Sequence, residues 1–188
     1  MSDTNVQLLD TIANEIKACT NCPLHETRTQ AVPGEGQPGA KIAFIGEAPG
    51  RDEDEQGRPF IGRSGQLLRR TIAEIGLTEE EVFIGNVLKC RPPGNRDPKP
   101  DEIEACRHYL MAQLVLIQPK VVVTLGRYSM NLLISPSLKI SKDHGKHIIK
   151  DGLLYLPTFH PSAILRNFSS PEEFKKDLLK AKILSEKY

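Results

Sequence analysis

The chain has 188 residues, 39% of them hydrophobic, which suits one compact domain spanning 1–188 with a full core. Twenty-five basic residues against twenty-four acidic ones give a formal charge of +1, so any nucleic-acid partner must be argued from clustering rather than from the sum. No apolar run approaches the roughly eighteen residues of a membrane span, and the opening MSDTNVQLLD lacks the basic-then-apolar order of a signal peptide, so no membrane and a cytoplasmic location are expected.

In chain order, residues 3–18 read as a helix, with Val6, Leu9, Ile12 and Ile16 at helical spacing and Asp3 or Thr4 as cap. Cys19 and Cys22 follow, then a stretch rich in glycine and proline (24–40) that should be irregular. Ile42-Ala43-Phe44-Ile45 is a short apolar run, as expected of a strand buried on both faces of a parallel sheet. The helix from Ser64 to Ile75 carries Leu67, Leu68, Ile72 and Ile75 on one face. Between strand and helix lies a long loop with Gly46, Gly50, Gly57, Gly62 and Phe60. Its acidic run Asp52-Glu53-Asp54-Glu55 reads as a solvated tip. Ligands of open α/β sheets bind at the carboxyl ends of strands, so this loop is a candidate site.

A second strand begins at Val82 and runs toward Asn86; the proline-rich 91–100 cannot be regular. Asp101 and Glu104 open a helix reaching Ile117, which buries Ile103, Cys106, Leu110 and Leu114. Val121 to Leu125 is a third strand, 127–134 a short helix, and 137–150 a basic connection. Leu153 to Leu156 is a fourth strand that delivers Pro157-Thr158-Phe159-His160-Pro161-Ser162. Ser170-Pro171-Glu172-Glu173 then caps a last helix. This alternation predicts a three-layer α/β/α fold around a four-stranded, mostly parallel sheet. Glu47 with Phe60, Asn86, and His160 would then converge from three strand ends on one sheet edge.

Four cysteines in a cytoplasmic chain are poorly explained as disulfides. Cys19 and Cys22 with Cys90 and Cys106 could bind Zn²⁺ or an iron–sulfur cluster, and spacing does not separate the two. Unliganded burial suits Cys106, on an apolar helix face, better than it suits the Cys19/Cys22 pair.

GEAPG at 46–50, GRPFIGRSG at 57–65, NVLKCRPP at 86–93, HPSAILR at 160–166 and the four cysteines together resemble the family-4 uracil-DNA glycosylases. The likeness runs from Cys19 to the last helix. It implies removal of uracil from single- or double-stranded DNA by hydrolysis of the N-glycosidic bond, by a monomer. It also implies a structural 4Fe–4S cluster on Cys19, Cys22, Cys90 and Cys106, with zinc the alternative occupant.

An enzyme that works on a base must flip it out and read its Watson–Crick edge between apolar walls. Asn86 suits the reader's place, since one carboxamide offers a donor to uracil O4 and an acceptor to N3–H. Phe60 offers a stacking wall, with Gly46 and Ala48 lining the pocket. By resemblance His160 donates to uracil O2, where charge grows in the transition state. The Asp that orients water in relatives with a GQDPY motif aligns with Ala48 here, so Glu47 takes that role or stabilises the cationic sugar. DNA contacts are expected from Arg63, Ser64, Ser162 and Arg166, with phosphate charge added by Lys89 and Arg91. Ile164 or Leu165 would fill the gap left by the flipped base. A non-catalytic iron–sulfur or zinc module for nucleic acid would keep the cysteines but need none of Glu47, Asn86 and His160. A relative that captures abasic DNA covalently would carry an inserted basic loop that is not found here.

Overall fold

The computed structural model describes residues 3–188. Five strands, β1 (Ile42–Gly46), β2 (Val82–Asn86), β3 (Val121–Leu125), β4 (Ile148–Lys150) and β5 (Leu153–Thr158), form one sheet in the order β2-β1-β3-β5-β4. The pairs β1–β2, β1–β3 and β3–β5 are parallel, and β4 is antiparallel to β5 at the edge. The register sets Gly46 beside Asn86 and Leu125 beside Thr158. The carboxyl ends of β1, β2, β3 and β5 therefore lie along one edge. Helices are α1 (Asp3–Ala18), α2 (Arg51–Gln56), α3 (Arg63–Glu74), α4 (Pro100–Ile117), α5 (Arg127–Leu133), α6 (Ile140–Asp143), α7 (Pro161–Leu165) and α8 (Pro171–Lys187).

Alternate side chains of the central strands feed two cores, as the pleat requires. Phe44, Val123 and Leu156 pack with Leu68 and Ile72 of α3 and Phe174 and Leu178 of α8. Ala43, Ile45 and Val122 face Leu110, Leu114 and Ile117 of α4 and Met130 and Leu133 of α5. A buried side chain the size of Leu or Phe contributes roughly 1.5–3 kcal/mol, and these three layers make the fold α/β. A third cluster joins Ile16 of α1 and Leu24 to Leu88, Cys90, Cys106 and Tyr109. The cap of α8 is as the sequence predicts: Ser170 Oγ accepts from Glu173 N at 3.0 Å.

Several expectations are corrected. The sheet has five strands, not four, because the basic stretch includes β4, a three-residue edge strand too short to show a period. Its lysine and its single antiparallel partner are what an edge tolerates. The acidic run is not a solvated tip: it forms α2, and Glu53 and Asp54 are buried. Asp54 Oδ1 accepts Thr29 N–H at 2.9 Å. Glu53 Oε1 accepts the N–H groups of Ile61 (2.9 Å) and Gly62 (2.8 Å), and Oε2 that of Gly50 (3.0 Å). Burial of these charges is offset by fixing a loop that has few other partners. The proline-rich 91–100 contains one short 3-10 turn at Pro93–Asn95. Val6 of α1 is exposed and Ile103 only partly buried.

Candidate active site

A cleft of about 320 Å³ opens at the carboxyl edge of the sheet, lined among others by Glu47, Ala48, Phe60, Ser64, Asn86, Asp97, Arg127, His160, Ser162 and Arg166. That volume is in the range of small-ligand pockets. The three predicted strand ends meet here: Glu47 follows β1, Asn86 ends β2, and His160 lies two residues beyond β5.

Gly46 shows how tightly this edge is built. A Cβ placed there would stand 2.5 Å from both Asn86 Oδ1 and Phe60 Cζ, so only glycine lets these groups face the pocket together. Asn86 is 2% exposed, and its Oδ1 has no hydrogen-bond partner. Leaving a buried acceptor unpaired costs roughly 1–3 kcal/mol, a cost that a ligand donating to this atom would remove.

Phe60 holds a left-handed backbone, φ 51°, which is strained for an aromatic residue. Its surroundings impose it. Arg69 donates to Phe60 O (3.0 Å) and Pro59 O (2.8 Å), and Glu53 holds the next two amides. Gly65 makes room, since a Cβ there would overlap the Phe60 backbone. Arg69 is in turn anchored to Glu35 at 2.7 Å. The Phe60 ring lies 5.8 Å from that of His160, tilted by 35°.

His160 caps α7. Its Nδ1 accepts Ser162 N–H at 3.2 Å and lies 2.8 Å from Ser162 Oγ. An accepting Nδ1 assigns the proton of the neutral ring to Nε2, leaving a donor for the cleft. Burial, aided by the Arg166 charge, pushes the imidazole pKa down to about 4, so the ring is neutral near pH 7. Glu47 is shifted the other way. Burial and then the Asp97 charge raise its carboxyl to about 7, against a smaller opposing pull from Arg127. Arg127 is itself bound to Asp97 at 3.1 Å. Near pH 7 the imidazole is therefore a neutral hydrogen-bond donor, while the carboxyl lies close to its own midpoint.

The remaining predicted residues divide. Ser64, Ser162 and Arg166 line the cleft, and Arg63 is exposed at the start of α3. Ile164 is 4% exposed and belongs to the core, so it is no wedge; Leu165 is 45% exposed. Lys89 is no phosphate contact either. It is 1% exposed and donates to Gln113 Oε1 (2.7 Å) and Pro33 O (3.2 Å), with burial lowering its pKa to about 8. Arg91 bonds Asn95 Oδ1 at 2.7 Å on the surface. Sequence reasoning missed Asp97 and Arg127, which reach the cleft from a proline-rich loop and a helix start with no motif of their own. It also missed the holding role of Glu53. The cue for Glu53 was a carboxylate inside a glycine-rich loop full of unpaired amides.

The four cysteines line one small, apolar cavity between α1, α4 and the segment after β2, and none is paired in a disulfide. Arg28 Nη1 donates to Cys90 Sγ (3.1 Å) and Lys89 N to Cys106 Sγ (3.3 Å). Burial pushes the thiols of Cys22 and Cys90 up, and that of Cys106 to about 11. Among the described residues, no three His, Cys, Asp or Glu side chains are grouped to grip a single metal ion. The donor set nevertheless fits a thiolate-bound centre: four sulfurs face one cavity, with N–H donors already aimed at two of them.

Residues 33–184 match the family model described as the Uracil DNA glycosylase superfamily, the class to which this fold and cleft belong. The chain is 47% identical to a type-4 uracil-DNA glycosylase of Saccharolobus solfataricus over 93% of this chain and 85% of the relative. It is 45% identical to that of Sulfurisphaera tokodaii (94% and 84%) and 45% identical to that of Thermotoga maritima (89% and 88%). The chain is a member of the type-4 uracil-DNA glycosylase family.

Proposed function

We propose that this chain excises uracil from DNA by hydrolysing the N-glycosidic bond, with Asn86 reading the base and Glu47 and His160 dividing the chemistry. The observation that carries this reading is the unpaired, buried Asn86 Oδ1 facing Gly46 and Phe60. Uracil N3–H would satisfy that oxygen while the amide N–H₂ donates to O4. Cytosine offers an acceptor at N3 and a donor at N4, so it meets the same amide with both signs reversed. Phe60 stacks on the flipped ring.

As the bond breaks, negative charge moves to uracil O2, where the neutral His160 Nε2–H donates. The uracil anion then leaves without having to take a proton from a cationic imidazole. On the other side, ionised Glu47 orients the attacking water and faces the sugar as it becomes cationic; water's proton goes to the carboxylate as the C–O bond forms. At pH 7 about half of Glu47 carries the needed charge, given a pKa of about 7.

Arg63, Ser64, Ser162 and Arg166 hold the phosphates around the extrahelical nucleotide, and Leu165 fills the space the base leaves. The start of α3 adds free backbone N–H groups beside Ser64, a natural phosphate seat. Cys19, Cys22, Cys90 and Cys106 would hold a 4Fe–4S cluster, with zinc the poorer occupant. Such a centre supplies cross-links rather than chemistry, tying α1 to the segment that leads from Asn86 into α4. We place the protein in the cytoplasm, with its DNA substrate, as a single-domain monomer.

The test is incubation with a uracil-containing oligonucleotide, single- and double-stranded, followed by alkaline cleavage at abasic sites. Asn86→Asp should lose most uracil excision, because a carboxylate opposes O4. Full activity in that variant would show that another group reads the base.

A further inference from the structure

Asp177 of α8 is a buried carboxylate that lies outside the cleft. Asp177 is 6% exposed. Its Oδ2 accepts from Thr158 Oγ1 at 2.8 Å and lies 3.0 Å from His144 Nδ1. A buried carboxylate is costly to desolvate, so its partners are informative. Both partners hold the segment that presents His160. Thr158 is the last residue of β5, fully buried, and its carbonyl accepts Gly126 N–H at 2.8 Å. Thr158 is thus gripped from α8 through its side chain and from the end of β3 through its backbone. Gly126 also lines the cleft and approaches His160 closely: a Cβ on it would stand 3.1 Å from His160 Cβ. The His144 ring packs on Phe159 with centroids 4.7 Å apart. Gly145 N–H bonds Pro157 O at 2.8 Å, and Lys180 of α8 bonds Gly145 O at 2.6 Å. Pro157, Thr158 and Phe159 are therefore each held from behind, by Gly145, Asp177 and His144, and α8 ties this set together through Asp177 and Lys180.

We propose that Asp177 is a positioning residue for His160, acting through Thr158 and, with His144, through Phe159. This rests on the leaving-group role given to His160 above. The imidazole must meet a charge that exists only in the transition state, so its placement matters to rate rather than to DNA binding. A displacement of about 1 Å by a remote change can cost about 10²-fold.

The test is a double-mutant cycle on single-turnover excision at saturating enzyme, with melting and circular dichroism to check the fold. Asp177→Ala should slow excision by about 10–10²-fold while binding to uracil DNA stays within about twofold. In a His160→Ala background the same change should cost almost nothing, because the group it positions is gone. Thr158→Val removes one hydroxyl at constant shape, should act in the same direction, and carries the cycle if Asp177→Ala does not fold. An equal loss in both backgrounds would mean general structural damage and would overturn the proposal. If instead His160→Ala cleaves like wild type, or wild type leaves uracil DNA intact, the functional reading itself fails, and this inference with it.

Discussion

Glu47 offers the sharpest quantitative test, because its position links catalysis to stability with opposite signs. Its carboxyl is raised to about 7 from an ordinary 4.5, chiefly by burial. At about 1.4 kcal/mol per tenfold change, and discounted for the water that still screens this partly exposed carboxyl, ionising it in the folded chain costs roughly 2–3 kcal/mol more than in the unfolded one. The folded state holds this proton to higher pH than the unfolded state does. The penalty is therefore absent below about pH 4.5, grows as pH rises toward 7, and is complete above that. Glu47→Gln keeps the shape and removes the ionisation. It should stabilise the protein by about 2–3 kcal/mol at pH 8 and by almost nothing near pH 4.5, measured by urea unfolding at both. The same substitution should lower single-turnover excision by roughly 10²–10⁴, as loss of a general base does. In the wild type, excision should rise about ninefold between pH 6 and 8, as the ionised fraction climbs from about one tenth to nine tenths. His160 adds no limb in that window, since its pKa lies near 4. A flat wild-type profile together with an unstabilised Glu47→Gln variant would refute the assignment.

Other outcomes follow from the same geometry. His160→Ala should lower cleavage by roughly 10²–10³, and that defect should shrink on 5-fluorouracil, which leaves more easily; the Glu47→Gln defect should change less. Equal shrinkage in both would undo the division of roles. Gly46→Ala puts a methyl 2.5 Å from Asn86 Oδ1 and Phe60 Cζ, so uracil excision should fall steeply while DNA binding survives, as read by gel shift and nicking. Protein purified without oxygen should be brown and contain about four irons per chain; a colourless protein with one zinc would reject the cluster. Cys106→Ser should reduce cluster content and solubility more than the excision rate of the loaded fraction.

The sequence alone determined the parts of this protein that depend on local chemistry. Apolar runs closed by glycine or asparagine marked β1 to β3, and helical spacing marked α1, α3, α4 and α8. The motifs around Glu47, Phe60, Asn86 and His160 were legible because each sets an uncommon side chain at a strand end or in the loop that follows it, where open α/β sheets bind ligands. What tertiary structure decided was environment. Burial separates Ile164 from Leu165 and removes Lys89 from the list of phosphate contacts, and neighbouring residues in a sequence do not reveal which of them turns inward. The shifted pKa values of Glu47 and His160 depend on desolvation in the cleft, with lesser contributions from Asp97, Arg127 and Arg166. The acidic run is buried rather than solvated because Glu53 and Asp54 accept backbone amides outside the run, at Ile61, Gly62 and Thr29. Hydrogen bonds between distant residues leave no periodic mark in a sequence, so only the folded chain shows that a carboxylate on α8 lies behind the histidine of the cleft.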